Sequence, residues 1–135
     1  MKFQFSAGGI VIKGSEVLLC QHSQHHGWVF PKGLIGDHQK GEGKEKTALR
    51  EVEEETGVKA KILKPLTPVT YWFVFEGEKV RKTVYYFLME YIGGDIGKHD
   101  HEMEAVVWLP KEKVIERLTY NSDKKVWQET QKILN

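Results

Sequence analysis

Arg50-Glu51-Val52-Glu53-Glu54-Glu55 packs one positive and four negative charges into six consecutive residues. The run closes a segment, Lys44 to Thr56, in which Ala48, Leu49 and Val52 recur at helical spacing and Gly57 suits the helix end. A helix C-terminus carries partial negative charge and favours cations. Like charges three or four residues apart cost about 0.2–0.5 kcal/mol per pair. Helix stability alone therefore does not account for these glutamates. At about 100° per residue, Glu51, Glu54 and Glu55 project together beside the apolar stripe. Glu53 points to solvent, and Arg50 can reach Glu54 or brace the cluster from behind. Such a group reads either as a solvated acidic face or as oxygen ligands for a hard divalent cation, Mg²⁺ or Mn²⁺.

The elements around this helix must place it. The 135 residues suit one domain, residues 1–135, with 40% apolar and 29% charged side chains. Strands are expected at Phe5–Ile12, Val17–Gln21, Val58–Leu66, Tyr71–Phe75, Val80–Ile92 and Ala105–Leu109. Gly8-Gly9 inside the first strand marks close approach by another part of the chain. A second helix is expected from Pro110, with Val114, Ile115 and Leu118 on one face. A third follows the cap-like Asn121-Ser122-Asp123 and carries Val126, Trp127, Ile133 and Leu134. This order predicts an α+β fold or an α/β/α sandwich. The single cysteine, Cys20, allows no internal disulfide and reads as a buried thiol. The chain shows no signal-peptide pattern and no membrane-length apolar run, so a cytoplasmic location and no membrane partner are expected.

The sequence from Gly36 to Val58 reads G-x5-E-x7-R-E-V-E-E-E-T-G-V, with Glu42, Arg50, Glu51, Glu54, Glu55 and Gly57 at fixed spacings. It matches every position of the Nudix box, and the chain resembles a Nudix hydrolase. Phe5-Ser6-Ala7-Gly8-Gly9 is similar to the family's opening strand, and Trp28-Val29-Phe30-Pro31-Lys32-Gly33 to its W-x-x-P-K-G lead-in. Glu102, before Val106-Val107-Trp108-Leu109-Pro110, is similar to its late glutamate. The resemblance implies an α/β/α sandwich around a central mixed β-sheet, and hydrolysis of phosphoanhydride bonds in nucleoside diphosphate-linked substrates. It implies that Glu51, Glu54, Glu55 and Glu102 bind Mg²⁺ or Mn²⁺, and that Arg50 orients the carboxylates. Glu102 or Glu51 would be the general base. One departure stands out. Eight residues separate Gly33 from Glu42, three more than relatives with this lead-in usually have. Either Gly33 or Gly36 could be the equivalent of the box glycine, and Asp37 is the only acid of the intervening loop.

Within the family, the diadenosine tetraphosphate hydrolase branch has a His before the lead-in and a Lys before Thr-Val. Their counterparts here are His26 and Lys82; with Lys32, and with His25 as the alternative to His26, they are candidates for phosphate contacts. Tyr120 matches an aromatic that stacks on adenine in that branch, and Tyr71 lies near the hairpin turn, where it could stack a base. These residues favour asymmetric cleavage of diadenosine tetraphosphate to ATP and AMP. The alternatives are removal of oxidised nucleoside triphosphates and cleavage at RNA 5′ ends. A net charge of +1 shows no global basic character, so no stable nucleic-acid partner is expected. A P-loop is excluded because Gly43-Lys44 is followed by Glu45 and lacks its upstream glycine. A zincin helix is excluded because His101-Glu102-Met103-Glu104 ends in Ala105. A binding module that had lost catalysis would show eroded box glutamates, and none is eroded here.

Overall fold

A computed structural model of the chain describes residues 1–36 and 40–135. Asp37 lies outside the described residues. The strands are β1 (Lys2–Lys13), β2 (Glu16–His22), β3 (Trp28–Val29), β4 (Lys32–Leu34), β5 (Val58–Pro65), β6 (Val69–Phe75), β7 (Glu78–Gly94) and β8 (Met103–Pro110). The helices are α1 (Lys44–Thr56), α2 (Lys111–Arg117) and α3 (Asn121–Leu134), with a 3₁₀ turn at Ile96–Lys98. All eight strands belong to one mixed sheet: β1 runs parallel to β7, and every other pairing is antiparallel.

The sheet forks at β1. Its far end pairs with β2 at Ile12 and Lys13, whereas Ser6, Ala7 and Gly8 pair instead with β4. β2 carries β3 and β8 away from this junction. The paired glycines of β1 are explained here. A side chain on Gly8 would collide with the Pro31 carbonyl and Lys32, and one on Gly9 with Met89. Their absence lets the Pro31–Gly33 segment lie against β1, where Gly9 N–H donates to the Pro31 carbonyl at 3.2 Å.

Both sheet faces are covered, which gives the α/β/α sandwich. Ala48 and Val52 of α1 pack on Ala7, Val11, Phe87 and Met89. Val114, Leu118, Val126 and Trp127 of the α2–α3 side pack on Ile10, Val84, Tyr86 and Leu88 of the other face. The two side-chain rows of β7 therefore serve two different cores, consistent with its near-continuous apolar run. Gly57 ends α1 in the left-handed region, at φ 81°, and its N–H donates to the Glu53 carbonyl at 2.7 Å. Pro110 lies just before α2 rather than in its first turn. The Asn121-Ser122-Asp123 run does not cap α3: Tyr120 holds that position, and Asp123 is buried within the first turn. Cys20 is buried. Among the described residues, no helix is long and apolar enough to cross a membrane.

Candidate active site

A cleft of about 540 Å³ opens at the fork of the sheet. Glu51, Glu54 and Glu55 of α1 line it, together with Lys32 and Gly33 of β4, Tyr71 of β6 and Lys82 of β7. Glu102 joins them from the loop before β8, and His22 and His25 from the end of β2 and the loop after it. Tyr71 and Lys82 are register partners and so share a sheet face.

Arg50 resolves the charge anomaly of α1. Its guanidinium lies 2.9 Å from Glu42, 3.2 Å from Glu51 and 2.8 Å from Glu54. Glu42 is buried and also accepts the Thr47 hydroxyl at 2.7 Å. The Arg50 hydrogen bonds hold the Glu42 carboxyl below the ordinary carboxylate range, against the opposing effect of burial. One cation thus ties the loop before α1 to the acidic turns near its end.

Glu55 has a different environment. It is 5% exposed and accepts the Lys32 backbone N–H at 3.1 Å. Burial, reinforced by Glu51 and Glu102, pushes its pKa up to about 9, although Lys32 pulls the other way. Adding cationic charge would favour the ionised carboxylate, which is the electrostatic condition of an acidic ligand set. As the side chains stand, no three acid, histidine or cysteine groups among the described residues are close enough to grip an ion. Glu51 and Glu54 are turned to Arg50. The donor chemistry fits a hard divalent cation, with Glu51, Glu54, Glu55 and Glu102 able to hold one once those carboxylates rotate.

Gly33 lies against the box helix. A side chain at Gly33 would overlap the Glu51 carboxylate. Gly36 lies in the turn after β4 and is not among the cleft-lining residues. The glycine pressed against the box helix is therefore the one in Pro31-Lys32-Gly33.

Positive charge comes from two lysines on neighbouring parts of the sheet. Burial, and secondarily Lys32, lowers Lys82 to about 8, while Glu55 opposes the shift. Lys32 would itself be lowered by burial, but Asp123, Tyr71 and Glu55 outweigh that effect and raise it. Asp123 is 3% exposed beneath this region and accepts the Tyr86 hydroxyl at 3.2 Å. It had read as a helix cap, and no linear spacing connects it to Lys32.

Of the two candidate histidines, His25 lines the cleft. His26 does not line the cleft: it takes a positive φ of 61° and its Nδ1 lies 2.6 Å from Glu104. His25 takes the place inside. Its ring stacks on His22 at 4.3 Å, and its Nδ1 accepts the Gly27 N–H at 3.0 Å. That bond leaves the proton of the neutral ring on Nε2. Burial first, then His22, Lys32 and His26, lower the His25 pKa. The signal for His22 and His25 was present as three histidines in His22-Ser23-Gln24-His25-His26. Only the left-handed turn at His26 decides which of them face the cleft.

Tyr120 stands at one remove from the cleft lining, 40% exposed, with its hydroxyl 2.9 Å from His25 Nδ1. Thr119 sets this position, because its hydroxyl accepts the Trp28 N–H at 2.8 Å and its own N–H donates to the Trp28 carbonyl at 3.1 Å.

Comparison with known proteins places this geometry. The NUDIX domain profile matches residues 2–130. A protein of Mycobacterium tuberculosis described as putative mutator protein MutT4 is 37% identical over 131 residues, covering 90% of this chain and 52% of that protein. The rat bis(5′-nucleosyl)-tetraphosphatase [asymmetrical] is 34% identical over 122 residues, covering 88% of this chain and 80% of that one. The crystal structure of a C. elegans Ap4A hydrolase superposes with a TM-score of 0.73 at 23% identity, covering 100% of both chains, which bears on the fold alone. The chain spans about half the length of the mycobacterial relative, and about a third of other bacterial relatives. The profile match over nearly the whole chain, with the intact box on α1, makes this protein a member of the Nudix family.

Proposed function

We propose that the protein is a metal-dependent hydrolase of phosphoanhydride bonds, and that its substrate is a dinucleoside polyphosphate, diadenosine tetraphosphate cut to ATP and AMP. The observation that carries this reading is one cleft lined by four glutamates together with Lys32, Lys82 and two histidines. Divalent ions, when bound by Glu51, Glu54, Glu55 and Glu102, would neutralise phosphoryl charge and acidify an attacking water. The chain's own residues do the rest. Lys32 and Lys82 meet the phosphates farther along the chain, and phosphate charge would raise Lys82 again, favouring its charged form further. His25 offers Nε2–H as a neutral donor. A carboxylate, Glu102 or Glu51, accepts the proton of the water as its oxygen bonds to phosphorus and the bridging P–O bond breaks. Tyr71 beside Lys82, and Tyr120 beside His25, offer aromatic surface for the bases.

A second reading, removal of damaged nucleoside triphosphates, is supported by a relative of Mycolicibacterium smegmatis described as 8-oxo-(d)GTP phosphatase, 33% identical over 111 residues. A substrate panel with Mg²⁺, its products resolved by chromatography, separates the two. The first reading expects ATP and AMP from diadenosine tetraphosphate, at a higher kcat/KM than for 8-oxo-dGTP. Faster turnover of 8-oxo-dGTP would overturn it.

A further inference from the structure

Neither helix layer covers the outer end of the sheet on the α1 side. Register places Phe3 of β1, Arg81 of β7 and Trp72 of β6 in one row across three strands. The next row holds Phe5, Thr83 and Thr70, and beyond the first row Lys79 faces Val74. The Thr70–Thr83 hydroxyl contact at 3.2 Å agrees with a shared face. Phe3 is 55% exposed, Phe5 46%, Trp72 49% and Val74 71%. Lys79 and Arg81 lie over the Trp72 ring at 4.8 and 5.8 Å, and Lys44 of α1 lies over Tyr85 at 4.9 Å. The strand residues of this face include cations, hydroxyls and rings but no acid. Exposed apolar groups on this scale, beside charge of one sign, mark a binding surface rather than scattered surface residues.

We propose that this face binds single-stranded nucleic acid. Rings on an open sheet stack bases without regard to sequence, and the interleaved cations meet the phosphates. Same-face positions two apart on a strand are about 6.7 Å apart, and neighbouring strands about 4.8 Å, so the rings present separate stacking sites rather than one clump. A second copy of the chain fits less well, because a two-fold contact would bring Arg81 and Lys79 of both copies together with no acid among the described strand residues of the face. An anionic membrane also fits less well, because a flat surface would have to meet the hairpin tip with Glu76 and Glu78, whereas a strand laid along the Phe3, Arg81 and Trp72 row need not reach it. Tyr71 and Lys82 point to the opposite face of the same strands, so the proposal is independent of the reading of the cleft. It also departs from the expectation drawn from net charge, which averages over this face.

The test is fluorescence anisotropy of the full chain with 3′-labelled, 5′-hydroxyl oligouridylate of ~10 nucleotides, a length within the range of known single-strand sites. Saturable binding at low salt is expected, weakened about tenfold by Trp72→Ala and by Phe3→Ala. Arg81→Gln should lower the slope of log K against log salt by about 0.7, the loss of one phosphate contact. Both aromatic variants should hydrolyse nucleotides as the parent does, and if either fails to fold, Arg81→Gln carries the test. Absence of saturable binding, or binding that Trp72→Ala and Arg81→Gln leave unchanged, would overturn the proposal. So would a Trp72→Ala variant that breaks up an oligomer in sedimentation velocity, or loses phosphatidylglycerol vesicles, without a change in oligouridylate binding.

Discussion

Gly33 and Glu51 show how tightly single residues set this cleft. The carboxylate of Glu51 rests where a side chain at position 33 would be. Gly33→Ala should leave the circular dichroism spectrum and the melting temperature close to the parent's, because the colliding group is a side chain that can turn aside. Turnover should fall at least about tenfold, the scale on which displaced metal-site groups act. Unchanged kcat would show that Glu51 is not needed where it lies. Tyr120 poses the matching question at the rim. Tyr120→Ala should raise KM for adenine-bearing substrates more than for inorganic polyphosphate, and equal effects would remove it from the base site. Much at this scale was legible in the sequence. The box spacing named Glu51, Glu54, Glu55 and Arg50, and the structure brings the three glutamates to one cleft with Glu102, Lys32 and Lys82. The choice between His25 and His26 was not legible, because a left-handed backbone turn has no signature in a run of histidines.

The elements explain why these residues meet. α1 is held to the sheet by Ala48 and Val52 and closed by Gly57, so the glutamate turn sits at the fork. The long strands and all three helices were legible because apolar periodicity extends along them. β3 and β4 were not, since two or three residues carry no period. Their existence depends on Pro31–Gly33 lying against the side-chain-free stretch of β1, a contact between distant parts of the chain. Asp123 was misread for the same reason: local sequence suggests a cap, whereas Tyr86, 37 residues away, claims its carboxylate. On the opposite side, Trp127 is fully buried, with its ring 6.5 Å from Phe30. Trp127→Ala should cost about 3–5 kcal/mol in denaturant unfolding. Trp127→Phe should cost clearly less, because among the described residues the indole N–H has no hydrogen-bond partner to lose. Equal losses would mean that the indole N–H, rather than ring volume, dominates.

For the whole molecule, the near-neutral charge of +1 averages three distributions: an acidic cleft wall, two lysines and histidines facing it, and a cationic aromatic face at the sheet's outer end. The cleft wall carries the account. Glu55 is raised to about 9, first by burial and then by its acidic neighbours, so near neutral pH it holds its proton until added cationic charge favours the carboxylate. The most direct measurement is hydrolysis of diadenosine tetraphosphate across a Mg²⁺ titration, by the parent, Glu54→Gln and Glu55→Gln. Turnover by the parent should require Mg²⁺. Both variants should lose more than about a hundredfold, the upper end of the effect seen for partners one shell farther from a metal, with melting temperatures at or above the parent's. Full activity in both variants, with the Mg²⁺ dependence intact, would contradict it.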